Sequence, residues 1–128
     1  MSETTPLNEY LVISRGKWDA SAKPQQIQQA IDEFYVWIER HVEAGRMKHG
    51  QRLAKEAKLV RKQAIIDGPF TEAKEVIGGY WFILANSLEE AAALASGNPC
   101  LQYGLSYEIR PIDPTKADVS VVSSETPN

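Results

Sequence analysis

Residues 67–75 read DGPFTEAKE, which sets Asp67, Glu72, Lys74 and Glu75 close together, just ahead of an apolar run. A carboxylate held beside a lysine or arginine stays ionised. One pushed into an apolar pocket is driven neutral and becomes a general acid or base. Asp67 is therefore a candidate catalytic group. Lys74 and Glu75 are candidate binding groups, with Arg110 as a further cation from a later stretch and the Phe70 ring as a pocket wall. The chain holds only two histidines, His41 and His49. His49 lies in the polar segment RMKHGQR, and an imidazole is the side chain best suited to move a proton near neutral pH, so it is the second catalytic candidate. A plainer account covers the same residues. Gly68 and Pro69 direct a tight turn, Asp67 accepts from the backbone N–H groups that follow, Phe70 drops onto the core, and the glutamates form solvated ion pairs. Both accounts stand on the sequence alone.

Several other chemistries are excluded. The histidines show no HxH or HExxH spacing, and the single cysteine, Cys100, leaves neither an intramolecular disulfide nor a multi-cysteine metal site, so no metal is expected. Beside Pro99, Cys100 reads as a small buried hydrophobe. No GxGxxG or P-loop pattern supports a nucleotide, and no cofactor is expected. With 14 basic residues against 17 acidic ones and a pI near 5.4, the chain lacks the basic stripe that tracks phosphates, so no nucleic-acid partner is expected. The first residues, MSETTPLNEYL, have no basic and apolar succession of a secretory leader, and no apolar stretch is long enough to cross a bilayer. The expected compartment is the reducing cytoplasm.

The elements that must position these groups follow from patterning. EYLVISR (9–15) reads as a strand bounded by Asn8 and Gly16. A loop with Trp18 leads to a helix capped by Ser21, with Pro24 in its first turn and Gly45 at its end. Ile27, Ile31, Phe34, Ile38 and Val42 form its apolar stripe, with Tyr35, Trp37 and His41 beside it. Residues 46–57 are polar. Two short strands are predicted near 58–62 and 64–66, joined by a bulge or turn. GGYWFILAN (78–86) is an apolar strand without polar alternation, so both of its faces must be covered. Trp81 belongs to one face, Tyr80 and Phe82 to the other. Ser87 and Glu90 have capping-box spacing at the start of a helix ended by Gly97 and Pro99. In LSYEIRPI (105–112), Leu105, Tyr107 and Ile109 alternate with Ser106, Glu108 and Arg110. A domain over 1–112 is followed by a Ser/Thr/Pro-rich tail, 113–128, expected to be mobile.

The order β-α-β(β)-β-α-β predicts an α+β, ferredoxin-like split βαβ unit: an antiparallel sheet with two helices on one face. Trp18, Trp37, Tyr80, Trp81, Phe82, Tyr103 and Tyr107 are aromatics for the core or a cavity wall. The second sheet face then needs a cover, and an identical copy is the simplest one, so a homodimer with an isologous interface is expected.

DGPFTEAKEVIGGYWFI closely resembles the signature of the YCII-related family in its DGPF subgroup, and SLEEAAALA and YEIRPI resemble that family's second helix and closing strand. The resemblance spans most of 9–112. It implies a dimeric α/β-barrel, two ferredoxin-like units with their sheets packed together. Some relatives resemble enzymes with a His–Asp pair in a cleft, the His near the start of the first helix. Here that region reads KPQQIQQAI, with no histidine, so that pair does not carry over. Two functional readings follow. One is a homodimer that binds a small organic molecule in a cleft, with cofactor-free acid/base activity. The other is a non-catalytic binding or regulatory module that uses the charged loop and the dimer surface.

Overall fold

Period-two burial defines the central strands. In the computed structural model, which describes residues 7–68, 76–114 and 119–120, β1 (Asn8–Arg15) buries Tyr10 and Val12 and leaves Leu11 and Ile13 half-buried. In β5 (Ile77–Ala85) the same rhythm buries Trp81, Ile83 and Ala85. The two strands pair antiparallel with Val12 opposite Trp81. β6 (Ser106–Pro111) flanks the other side of β1, with Ile109 opposite Val12. With β2 (Met47–Arg52), the sheet order is β2-β5-β1-β6. This is the antiparallel ferredoxin-like arrangement expected for an α+β chain of this element order.

One strand of that sheet departs from the sequence expectation. β2 (Met47–Arg52) lies in the segment read as polar connection. It is an edge strand, and only Met47 reaches the core, so Lys48, His49, Gln51 and Arg52 meet solvent and leave no apolar pattern to read. The two strands predicted next do form, as β3 (Lys58–Arg61) and β4 (Ala64–Asp67). They make a separate hairpin that pairs with no strand of the main sheet. All eight of its strand residues are exposed, with Val60 at 71% and Ile65 at 66%. Isolated two-stranded hairpins are marginal in water, so this arm draws little stability from its own pairing.

Helix α1 (Pro24–Glu43) lays Ala30, Phe34, Ile38 and Val42 on the sheet. Its cap is not Ser21. Lys23 is the N-cap, and the Gln26 side chain accepts the Lys23 N–H at 2.9 Å, because the Asp19–Ala22 turn ends the loop before the helix begins. Gly45, just past the helix, takes φ +78° as expected for a residue that must turn the chain left-handed. Helix α2 (Leu88–Ala95) has Ser87 as its cap, accepting the Glu90 N–H at 3.1 Å. Its small residues Ala91 and Ala95 let it sit close against Ile83 and Ala85. A short 3-10 helix, Pro99–Tyr103, follows and buries Cys100. Val12, Met47 and Ile83 are the largest fully buried side chains, each worth roughly 1.5–3 kcal/mol in removal from water.

Both helices lie on the Val12–Trp81 side. On the reverse side, Leu11, Ile13, Tyr80, Phe82 and Leu84 form a half-buried apolar strip. Charged pairs frame it: Lys48–Glu9 at 2.5 Å on one flank, Arg15–Glu108 at 2.6 Å and Arg110–Glu108 at 3.1 Å on the other. Among the described residues, no helix is long and apolar enough to cross a membrane. The tail expected from 113 onward falls largely outside the described residues.

Candidate functional site

A groove of about 1150 Å³ opens on the helix side of the sheet. Trp81, Tyr107, Ser14 and Cys100 line it from the sheet and the 3-10 helix, Phe34 and Ile38 from α1. The Gly16–Trp18 loop, the connection after β2 (residues 53–57) and the first half of β5 complete it. Trp81 packs edge-on against Phe34 at 5.4 Å and Tyr107 at 5.3 Å between ring centroids. These contacts fix the aromatic walls.

A bulge in β2 shapes the rim. Lys48 opposes Phe82 and Gln51 opposes Tyr80, so β2 spends one more residue than β5 between the two pairs. The extra residue falls at His49–Gly50. A bulge bends the strand and re-aims a side chain. Only glycine fits at 50, because a Cβ there would overlap the Tyr80 carbonyl group. His49 lines the groove, and its Nε2 lies 2.8 Å from Glu39 Oε1 on α1. With Nε2 holding the proton shared with Glu39, Nδ1 is left as the acceptor nitrogen. A histidine oriented by a carboxylate is the arrangement that general acid/base chemistry uses.

The floor is less reactive. Burial pushes the Tyr107 phenol well above its usual range, with the nearby Cys100 adding to the effect. Burial also pushes the Cys100 thiol up, and its Sγ is 3.7 Å from the Ala30 carbonyl oxygen. Both groups stay neutral near pH 7. Cys100 is the small buried hydrophobe that its neighbourhood in the sequence indicated, and a neutral thiol is a poor nucleophile.

The residues singled out from sequence are dispersed. His49 is at the groove. Asp67 is at the end of β4, where it pairs with Lys58 across the hairpin, and it is not among the groove's lining residues. Arg110 is on the reverse sheet face beside Glu108. Glu108, held by Arg110 and then Arg15, has its carboxyl below the usual range. Phe70, Lys74 and Glu75, with Pro69 and Glu72, lie outside the described residues. Trp18, Trp81 and Tyr107, grouped in the sequence reading as core or cavity aromatics, line the groove, whereas Trp37 packs against the core. Sequence reasoning did not find Glu39 or Arg52. Glu39 is ten positions from His49 and meets it only through packing of α1 beside β2. Arg52 lies in the edge strand that carried no apolar signal. Among the described residues, no group of three or more His, Cys, Asp or Glu side chains is placed to hold a metal ion.

The sheet topology and the order of its elements define an α+β protein of the ferredoxin-like type. The family model of the YCII-related domain matches residues 9–116, and the chain belongs to that family. No curated protein matches it.

Proposed function

We propose that this protein is a homodimer that binds a small organic molecule in the helix-side groove of each subunit, with His49 as the proton-transferring group at the rim and Glu39 as the residue that orients it. The observation that carries this reading is the coincidence of a roomy aromatic groove with a carboxylate-held histidine on its edge. Pockets of this kind, apolar with a few converging polar groups, are where ligands bind. The activity that fits is cofactor-free acid/base chemistry.

The dimer part of the proposal rests on the strip from Leu11 to Leu84. A sheet face of half-buried aromatics and aliphatics framed by ion pairs has the composition of an interface core with a charged rim. Packing it against a second copy gives the dimeric α/β-barrel, and Arg110 then belongs to that rim. The single buried cysteine agrees with a reducing cytoplasm.

The second reading, a non-catalytic binding or regulatory module, is favoured by the β3–β4 hairpin. Its exposed Val60 and Ile65, beside Lys58 and Asp67, offer a partner surface away from the groove.

A thermal-shift panel of small aromatic, carboxylate and amine compounds separates the two. The groove reading predicts that at least one compound raises the melting temperature of the wild type and not that of Trp18→Ala. A flat response across the panel would leave the module reading in its place.

A further inference from the structure

The groove's fully charged side chains are mostly of one sign. Lys17, Arg52 and Lys55 line it, against the single acid Glu56 among the described lining residues. The five ion pairs between described residues are elsewhere or use His49, and none involves Lys17, Arg52 or Lys55. These three cations come from separate places: the β1–α1 loop, the end of β2 and the connection after it. They converge on one groove in a chain whose formal net charge is −3, so the local sign is reversed against the whole molecule. On the floor, the Trp81 indole N–H is buried and finds no acceptor among the described residues, although Trp81 is only 3% exposed. A buried donor without a partner costs about 1–3 kcal/mol unless something supplies an acceptor. The rim therefore presents positive charge, above a neutral floor in which the Trp81 N–H is a buried donor without a described partner.

Taking the ligand-binding reading above as its base, we infer that the groove selects a planar organic anion, an aromatic or heteroaromatic carboxylate, with its ring among Trp18, Phe34 and Trp81 and its carboxylate toward Arg52 and Lys17. The walls supply the ring's requirement. Phe34, Trp81 and Tyr107 already meet edge-to-face, and a flat π-system adds to such a cluster with little entropic cost. The rim supplies the carboxylate's requirement, because arginine offers a fixed fork of donors that matches two carboxylate oxygens. A cation in the same place would face Lys17, Arg52 and Lys55 together.

The test is a set of three probes that share one ring system: 2-naphthoate, its neutral amide 2-naphthamide, and the cation 2-naphthylmethylamine. Each is titrated into the full chain, and the three tryptophan indole N–H signals are followed by NMR. The expected result is saturable shifts at Trp18 and Trp81, with 2-naphthoate binding about tenfold tighter than the amide and the amine weakest. Arg52→Gln, a change at an exposed residue, brings the affinity for 2-naphthoate down to that for 2-naphthamide. Lys17→Gln gives a smaller loss of the same kind. Amide or amine binding at Trp18 and Trp81 as tightly as the carboxylate overturns the charge assignment while leaving the groove in place. Failure of all three probes to shift Trp18 and Trp81 overturns the groove reading as well.

Discussion

His49 Nε2 and Glu39 Oε1 meet at 2.8 Å across the seam between β2 and α1. Both side chains are 56% exposed, so water screens the pair. Exposed polar pairs of this kind contribute about 0.2–1 kcal/mol to stability. A double-mutant cycle with His49→Gln and Glu39→Gln, read by urea unfolding, should give a coupling in that range. A coupling of several kcal/mol would mean that the pair holds the fold together, and its assignment as a reactive group would lose its ground.

The neutral floor of the groove has a pH signature. Burial raises the Tyr107 phenol and the Cys100 thiol in the folded state. Below the ordinary thiol and phenol ranges, both states carry both protons and nothing is gained or lost. Above about pH 8.5 for the thiol and about pH 10 for the phenol, the unfolded chain releases protons that the folded chain keeps. Stability therefore falls as pH rises through that window, because the folded state binds more protons there. Urea midpoints measured between pH 7 and pH 11 should decline. Tyr107→Phe should flatten the upper part of the decline and Cys100→Ala the lower part. A midpoint that is constant to pH 11 contradicts the buried, neutral floor.

Much of this architecture is legible in the chain, for physical reasons that differ by element. β1 and β5 carry dense apolar runs, one face packed under the helices and the other half-buried, and period-two alternation in β6 marks its two sides. Helix α1 shows its stripe at helical spacing. β2 is different. An edge strand with one buried residue has no apolar alternation, and its place in the sheet is decided by main-chain pairing with β5. The site suffers for the same reason. Arg52 and the bulge that turns His49 are both in β2, and Glu39 sits on the outer flank of α1, where polarity alone reads as solvent. Asp67 stands out in the sequence because charges cluster around it, whereas its described partner, Lys58, is chosen by the register of the hairpin.

The bulge gives a sharp stability prediction. Gly50→Ala places a methyl group against the Tyr80 backbone, which is not the flexible end of a side chain and cannot yield cheaply. The expected cost is about 2–3 kcal/mol, the scale of overpacking and lost edge pairing. Gly78→Ala serves as the control, since its Cβ would meet the Ser14 side chain at an ordinary 3.5 Å. Equal stability of the two variants in urea would contradict the described pairing of β2 with β5.

The reverse sheet face makes a separate prediction about assembly. Light scattering on the wild type should give twice the 14.3 kDa of one chain. Phe82→Glu introduces a charge into the centre of the Leu11–Leu84 strip and should yield a monomer with an unchanged circular dichroism spectrum. Wild-type protein that is monomeric at micromolar concentration, or a Phe82→Glu variant that stays dimeric, contradicts packing through this face.

The central claim is that small molecules enter on the helix side, between Trp18 and Trp81. Crystals soaked with a set of aromatic fragments, half of them carboxylates, test it most directly. The account predicts fragment density in that groove, within hydrogen-bond reach of Arg52 or His49 in the case of the carboxylates. Fragments found only on the hairpin or against Tyr80 and Phe82, with the groove empty at full occupancy elsewhere, would contradict it.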